Sequence, residues 1–237
     1  MAFVPQLAPV VVLAFLGTGF LLFVTGAVLL AALLTGRTSA ARPAAVAAVV
    51  VAGGYGAVLL AASLASSEKR LGAGELKYFC EVDCHLAYSV TGVQKAKTLG
   101  AGATQTTAEG VFYVVTLKTW FDPHTTSLNR GNGLLYPNDR LALIVDDQGT
   151  RRGPTLPGQQ ALDIPAAKLV PLLTALRPGD SYETTLVFDV PADAANPRLL
   201  LTDPVPINWV LIGHENSFLH KKVYFRLDAA VSRSSGD

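Results

Sequence analysis

The residues APVVVLAFLGTGFLLFVTGAVLLAALL, Ala8–Leu34, contain no charged side chain and decide the first element of the fold. The run is longer than the roughly 20 apolar residues that a helix needs to cross the hydrocarbon core of a bilayer. A second uncharged run, Pro43–Ser66, follows after the short polar connector GRTSAARP. The sequence therefore predicts two transmembrane helices, which form a hairpin within residues 1–67.

A cleaved signal peptide is the alternative interpretation of the first run. Signal peptides begin with basic residues and have a short apolar core. Here no Lys or Arg precedes Ala8, and the apolar run is too long for such a core. The second run is rich in Ala and Gly, and small residues let helices approach closely in lipid. These features favour a packed helical hairpin over a leader peptide.

The distribution of charge predicts the orientation of this hairpin. Arg37 and Arg42 are the only charged side chains in residues 1–67, although the chain has 19 Lys and Arg and 18 Asp and Glu. Basic residues beside membrane helices favour the cytoplasmic side. We therefore expect a multi-pass protein of the inner membrane whose C-terminal domain is extracytoplasmic. A net charge of +1 argues against nucleic-acid binding, which needs a basic surface.

The remainder of the chain has the pattern of an all-β domain. We expect a linker over residues 68–76, a β-sandwich over 77–230 and a disordered tail over 231–237. Short runs rich in β-branched and aromatic residues, separated by turn signals, predict strands. These runs are Lys77–Val82, Leu86–Val93, Val111–Phe121, Arg140–Asp146, Ser181–Val190, Arg198–Thr202 and Lys221–Leu227. Seven such strands are typical of a two-sheet sandwich.

Two stretches in this region resemble a known family. LRPGDSYETTLVFDVPADAANPRLLLTD, residues 176–203, resembles the late part of immunoglobulin-like domains in bacterial envelope proteins of unknown function. The earlier GVFYVVTLKTWFD, residues 110–122, fits the strand and exposed loop that precede it in those domains. The resemblance extends over Gly110–Leu227. It implies an immunoglobulin-like sandwich, and a fold of this kind does not specify an activity.

The run Cys80-Glu81-Val82-Asp83-Cys84-His85 is the sharpest local motif and contains the only two cysteines. A Cys80–Cys84 disulfide is one interpretation, because close cysteines outside the cytoplasm oxidise readily. A metal site is another, since thiolates and imidazoles bind copper and zinc. Its candidate ligands are Cys80, Cys84, His85 and His214. A redox-active thiol pair and two unpaired structural thiols also remain open.

The spacing Cys80-x3-Cys84 resembles two copper motifs in part. In the dinuclear motif of cytochrome oxidase subunit II, Cys-x3-Cys-x3-His-x2-Met, the last two ligand positions correspond here to Tyr88 and Thr91. In the copper-delivery family with Cys-x3-Cys-Pro and a distant histidine, His85 replaces the proline. These resemblances imply copper binding for oxidase assembly or electron transfer.

The sequence contains no motif that predicts catalysis. A phosphate-binding glycine loop and a nucleophile elbow are both absent from it. We therefore expect a membrane-anchored binding, accessory or assembly subunit rather than an enzyme. Its expected partners are the lipid bilayer and other membrane-protein subunits, and its expected cofactor is none. The alternative is a copper-binding protein that uses the cysteine and histidine motif.

Overall fold

The computed structural model describes residues 8–79, 86–127, 129–162 and 170–227. The chain divides into two units. The first comprises Met1–Glu68 and Val205–Lys222, and the second comprises Lys69–Pro204 and Val223–Asp237. The first unit is mainly helical and the second is mainly β.

Two long helices dominate the first unit. Helix α1 spans Ala8–Leu34 and α2 spans Thr38–Leu64, so α2 begins before the predicted start at Pro43. The turn between them contains Gly36 at a φ of +69°, a left-handed conformation that favours glycine. The Arg37 N–H donates to Ala32 O at 2.8 Å and closes the end of α1.

Both helices are long and apolar enough to cross a membrane. In the most apolar window of α1 no residue is buried, and in that of α2 only 6% are buried. Large apolar side chains such as Phe23 and Leu34 are 73% and 79% exposed. The core helix of a water-soluble protein would bury such residues, so the apolar surface of this unit faces outward.

The segment Val205–Lys222 belongs with the helices, although the sequence placed it inside the β domain of residues 77–230. It begins with a 3₁₀ helix, Pro206–Val210, whose first position suits a proline because no N–H bond is needed there. Tyr55 Oη donates to Val210 O at 2.7 Å. Ser66 Oγ accepts from the Lys221 N–H at 2.8 Å.

The described part of the second unit contains nine strands and one short helix, α3, at Leu156–Ala161. The strands are β1 Lys69–Leu71, β2 Lys77–Phe79, β3 Leu86–Leu99, β4 Thr106–Phe121, β5 Leu141–Val145, β6 Arg151–Arg152, β7 Ser181–Val190, β8 Arg198–Thr202 and β9 Val223–Arg226. One sheet has the order β1-β9-β8-β5-β6 and the other has the order β2-β3-β4-β7. The β1–β9 pair is parallel, and every other pair is antiparallel.

The two sheets share one hydrophobic core. Tyr88, Leu117 and Phe188 enter it from the four-stranded sheet, while Leu199 and Phe225 enter it from the five-stranded sheet. All five are fully buried. This core confirms the coarse prediction of two apolar helices followed by a mostly antiparallel two-sheet domain.

Several elements differ from the predicted pattern. The expected linker, residues 68–76, contains β1, which is held by its pairing with β9. Strands β3 and β4 are longer than predicted because they form one hairpin with two register shifts. The sequence also allows a short helix at Ala166–Leu176, although Pro171 interrupts it. Its described part, from residue 170, forms turns instead, and Pro171 lacks the N–H that a helix would use. Residues 231–237 lie outside the described residues.

Candidate functional site

Strands β2, β3 and β4 of the four-stranded sheet share one end of it. In the strand register, Leu86 pairs with Phe79 of β2 on one side and with Phe121 of β4 on the other. The predicted ligands Cys80, Cys84 and His85 lie outside the described residues, in the connection between β2 and β3. Their motif therefore leaves the sheet at the same end as the turn that follows β4.

A hydrogen-bonded cluster of three side chains occupies this sheet end. Tyr78 Oη donates to Asp122 Oδ2 at 2.8 Å. The other carboxylate oxygen, Oδ1, lies 3.0 Å from His124 Nδ1 and accepts the His124 backbone N–H at 2.9 Å. Asp122 is buried, whereas the His124 side chain is 85% exposed. We call these three residues the sheet-end cluster.

The sheet-end cluster changes the acidity of its members. Burial, the hydrogen bond to Asp122 and the negative charge of that carboxylate together raise the pKa of Tyr78 to about 12. Burial alone would raise the pKa of Asp122. The hydrogen bonds from His124 and Tyr78 outweigh that effect and lower the pKa of Asp122 below its ordinary value. The carboxylate is therefore ionised at neutral pH.

This ionisation determines which histidine nitrogen is available. A carboxylate only accepts hydrogen bonds, so Nδ1 of His124 carries the proton that it shares with Asp122. In a neutral imidazole the second nitrogen, Nε2, then has a free lone pair. Because the ring is exposed, Nε2 can bind a metal ion at the sheet end. A carboxylate behind a histidine is also the usual support of a metal-binding imidazole.

A group of buried cations lies behind the same strands. Lys77 Nζ donates to Leu201 O at 2.6 Å and to Val223 O at 3.1 Å, which ties β2 to the opposite sheet. Lys77 Nζ and the Arg140 guanidinium lie 5.0 and 4.4 Å from the centroid of the Phe79 ring. Arg140 Nη1 is 3.6 Å from an oxygen of Asp203. These contacts anchor β2 immediately before Cys80.

The fourth predicted metal ligand, His214, lies in the other unit of the chain. Its Nδ1 accepts the Asn216 N–H at 3.0 Å, which is a turn contact. In the same segment His220 is buried, and its Nδ1 lies 2.7 Å from Lys221 O. Burial lowers the pKa of His220. Within the described ranges no group of three or more His, Cys, Asp or Glu is arranged to hold a metal ion.

Nothing in the sequence marks Tyr78, Lys77 or Arg140 as part of the site. Tyr78 and Asp122 are far apart in sequence, and only the register of β2, β3 and β4 brings them together. The available signal was the position of Tyr78 two residues before Cys80. A buried Lys or Arg gives no signal in a single sequence, because charged residues in strands are expected to face water.

A shallow groove of about 400 Å³ lies elsewhere on the β unit. Its walls include Arg140, Gln159, Leu172 and Thr184. Gln159 is held by the backbone of β7, because Oε1 accepts the Val187 N–H and Nε2 donates to Thr185 O. The groove therefore presents apolar walls and polar groups that already have protein partners.

Comparisons with known proteins assign no family. No family model and no curated protein matches the chain. Among solved structures, it is similar to a conserved hypothetical protein from Bacillus anthracis, the secreted protein MPT63 from Mycobacterium tuberculosis and the yjhA protein from Bacillus subtilis. In that order the identities are 13%, 10% and 14%, and the TM-scores are 0.39, 0.41 and 0.39. The alignments cover 53%, 68% and 68% of this chain and 85%, 97% and 100% of the other chains.

Proposed function

We propose that this chain is a membrane-anchored binding protein. Helices α1 and α2 form a multi-pass anchor in the inner membrane. The β unit is an immunoglobulin-like sandwich on the extracytoplasmic side, where it serves as a binding, accessory or assembly subunit of a membrane complex. The single observation that carries the proposal is the outward-facing apolar surface of both long helices.

The packing of the helices supports an anchor made of two spans. Phe15 of α1 and Tyr55 of α2 have ring centroids 6.4 Å apart, so the two helices are in contact. Ala32 and Ala44 are buried near the turn, as expected where small residues allow close approach. A leader peptide has no need of a matched second helix.

The positions of Arg37 and Arg42 support the orientation. Both side chains are exposed, one in the turn between the helices and one in the first turns of α2. Basic residues in a short connector favour its retention on the cytoplasmic side. Both ends of the hairpin then lie on the outer side, and so does the β unit that follows α2.

An exposed apolar surface on the β unit supports a protein partner. In the long connection between β4 and β5, Leu134 and Tyr136 are 46% and 71% exposed. Leu135, between them, forms a bridge with Leu176 that fixes this part of the connection. Exposed Tyr beside apolar side chains is typical of interface hot spots. We call Leu134 and Tyr136 the partner patch.

Purification under mild conditions tests the proposed partner. The full chain is extracted in mild detergent, cross-linked and sized, alongside the double variant Leu134→Ser/Tyr136→Ser. The matched control is Leu156→Ser, which alters a side chain that is 67% exposed outside the partner patch. We expect a complex with other membrane subunits that the double variant loses and the control retains. Recovery of the unaltered chain as a lone monomer would argue against the proposal.

Copper binding is the second candidate function, and one observation favours it. The exposed His124, oriented by Asp122, lies at the sheet end from which the Cys80–His85 motif leaves. It supplies an imidazole to a motif that already contains two thiols and a histidine. A thiolate and imidazole set of this kind suits copper.

Elemental analysis separates this candidate from a structural disulfide. Full-length protein, purified anaerobically and in air, is analysed for bound metal and for free thiols by mass spectrometry. Copper binding would be favoured if the double variant Cys80→Ser/Cys84→Ser retains no bound metal and His124→Ala retains less of it than the unaltered chain. The control is His220→Ala, a histidine of the helical unit. A metal-free chain with a mass two hydrogens short would instead indicate a Cys80–Cys84 disulfide.

A further inference from the structure

The segment Val205–Lys222, here called the return segment, has an inverted distribution of polar and apolar side chains. Five large apolar residues are 45–66% exposed: Ile207, Trp209, Val210, Phe218 and Leu219. Its buried side chains are polar: Asn208, Ser217 and His220 are 7%, 3% and 7% exposed. Loops in water show the opposite arrangement, because burial of apolar surface stabilises the folded chain.

In the part of the return segment where the apolar side chains are exposed, backbone carbonyl groups accept hydrogen bonds from other groups of the protein. Trp209 O accepts the Phe218 N–H at 3.1 Å. Leu211 O accepts the His214 N–H at 3.2 Å and also the hydroxyl of Ser217. Val210 O accepts Tyr55 Oη at 2.7 Å. In hydrocarbon every backbone polar group needs a protein partner, and these carbonyl groups have one.

The return segment is attached to α2 at two levels. It is bonded at Ser66, just beyond the end of the helix, and again at Tyr55. At 1.5 Å per residue, these two positions are about 16 Å apart along the helix axis. The hydrocarbon of one leaflet is roughly 15 Å thick, half of the bilayer core. The return segment therefore follows α2 over a distance comparable with one leaflet.

The two lysines of the return segment lie at one end of it. Lys221 and Lys222 immediately precede β9, and the backbone of Lys221 is bonded to Ser66. Lys222 Nζ donates to Asn216 Oδ1 at 2.9 Å and to Glu215 O. Lysines at this level suit the lipid phosphates of a membrane surface. Trp209 and Phe218 are hydrogen-bonded to each other through their backbones and form the apolar end.

We propose that the return segment inserts its apolar end into the outer leaflet, with acyl chains around Trp209 and Phe218. The inference rests on the proposed function, because it requires α2 to span the membrane. Its apolar end is bonded to α2, because Tyr55 Oη donates to Val210 O. The β unit is then held to the membrane by a third element in addition to the two spans.

The chain contains the probe for this proposal, because its only tryptophans are Trp120 and Trp209. Full-length Trp120→Phe, which keeps Trp209, is reconstituted into liposomes whose phosphatidylcholine carries bromine on the acyl chains, and into unbrominated liposomes. Full-length Trp209→Phe, which keeps Trp120 of β4, is the matched control. We expect brominated lipid to remove most of the Trp209 emission and to leave the Trp120 emission unchanged.

Flotation of the same liposomes separates failure of the inference from failure of the anchor. Protein that floats with the vesicles while Trp209 emission is the same in both lipids would overturn the insertion and leave the anchor intact. Protein that does not float would overturn the anchor as well. A photo-reactive residue at position 218 gives a second readout in cells. Adducts with lipid are expected, and a discrete adduct with another protein would overturn the proposal.

Discussion

The two units of this chain place the same kinds of apolar side chain in opposite environments. In the helical unit Phe20 and Phe23 are 66% and 73% exposed, while in the β unit Phe188 and Phe225 are fully buried. Burial of a phenylalanine stabilises a domain in water by a few kcal/mol. Exposure on this scale would be favourable in an apolar medium, which is the solvent that the proposed function gives to α1 and α2. The contrast shows that a hydrophobic side chain indicates its solvent only once the fold is known.

The largest effect is expected for the core of the β unit. Phe188→Ala should lower the free energy of unfolding by about 3–5 kcal/mol, because it removes a fully buried aromatic ring and leaves a cavity. Tyr136→Ala, at a side chain that is 71% exposed in the same unit, should have little effect. Trp120 fluorescence in full-length protein carrying Trp209→Phe reports the transition. Equal destabilisation by the two variants would contradict the assignment of the core.

A matched pair of leucines tests the difference in solvent directly. Leu21 of α1 and Leu141 of β5 are 50% and 47% exposed. An arginine at the centre of a membrane span costs roughly 3 kcal/mol of insertion free energy. On a surface that faces water, the same change is usually within about 0.5 kcal/mol. We expect Leu21→Arg to lower the fraction that resists carbonate extraction, and Leu141→Arg to leave it unchanged. If both variants resisted carbonate extraction to the same extent, the proposed difference in solvent between the two units would be contradicted.

A pair of glycines tests how closely the start of β4 approaches the end of β7, its neighbour in the four-stranded sheet. A Cβ on Gly110 would lie 2.0 Å from Val190 O, which the backbone can relieve only by moving. A Cβ on Gly92 would meet Thr116 at an ordinary 3.5 Å. Gly110→Ala should destabilise the β unit by about 1–3 kcal/mol, as overpacking does. Gly92→Ala is the control, and the same Trp120 unfolding assay compares them.

The smallest effect concerns pH and the sheet-end cluster. Asp122 has a lowered pKa, so its carboxylate contributes stability above its ordinary value of 3.8 and loses it as pH falls through the folded pKa. Asp122→Asn should lower the melting temperature of the β unit at pH 7, and the difference should shrink below about pH 4. Asp193→Asn, at an exposed carboxylate, is the control. If the melting-temperature difference between Asp122→Asn and the unaltered chain persisted at low pH, it would not come from the charge of the Asp122 carboxylate.

The sequence predicts the elements whose signal is local. Ala8–Leu34 has no charge, and Val111–Phe121 is rich in β-branched and aromatic residues, so each indicates its structure without reference to the rest of the chain. Strand β1 gives no such signal. Its residues Lys69 and Arg70 are charged, and its partner β9 lies at the other end of the chain. Non-local pairing is what a single sequence conceals.

The candidate site also combines a local signal, which the sequence shows, with non-local contacts, which it does not show. The motif Cys80–His85 is visible in the sequence, and its role as metal site or disulfide stays a prediction. The sheet-end cluster needs the register of three strands before Tyr78 meets Asp122. The sequence of the return segment, with Pro206 near its start, does not indicate that it belongs with the helices. Only its contacts with Tyr55 and Ser66 associate it with the helices.

The parallel pairing of β1 with β9 has a consequence for synthesis. Lys69–Leu71 follows α2 directly, yet its partner Val223–Phe225 is among the last parts of the domain to leave the ribosome. Contacts between residues so far apart in sequence form slowly. Both long helices are therefore complete while the strand that follows α2 still lacks its neighbour. Completion of the five-stranded sheet then depends on the arrival of β9, so a chain that stops before Val223 leaves β1 without the strand that it pairs with.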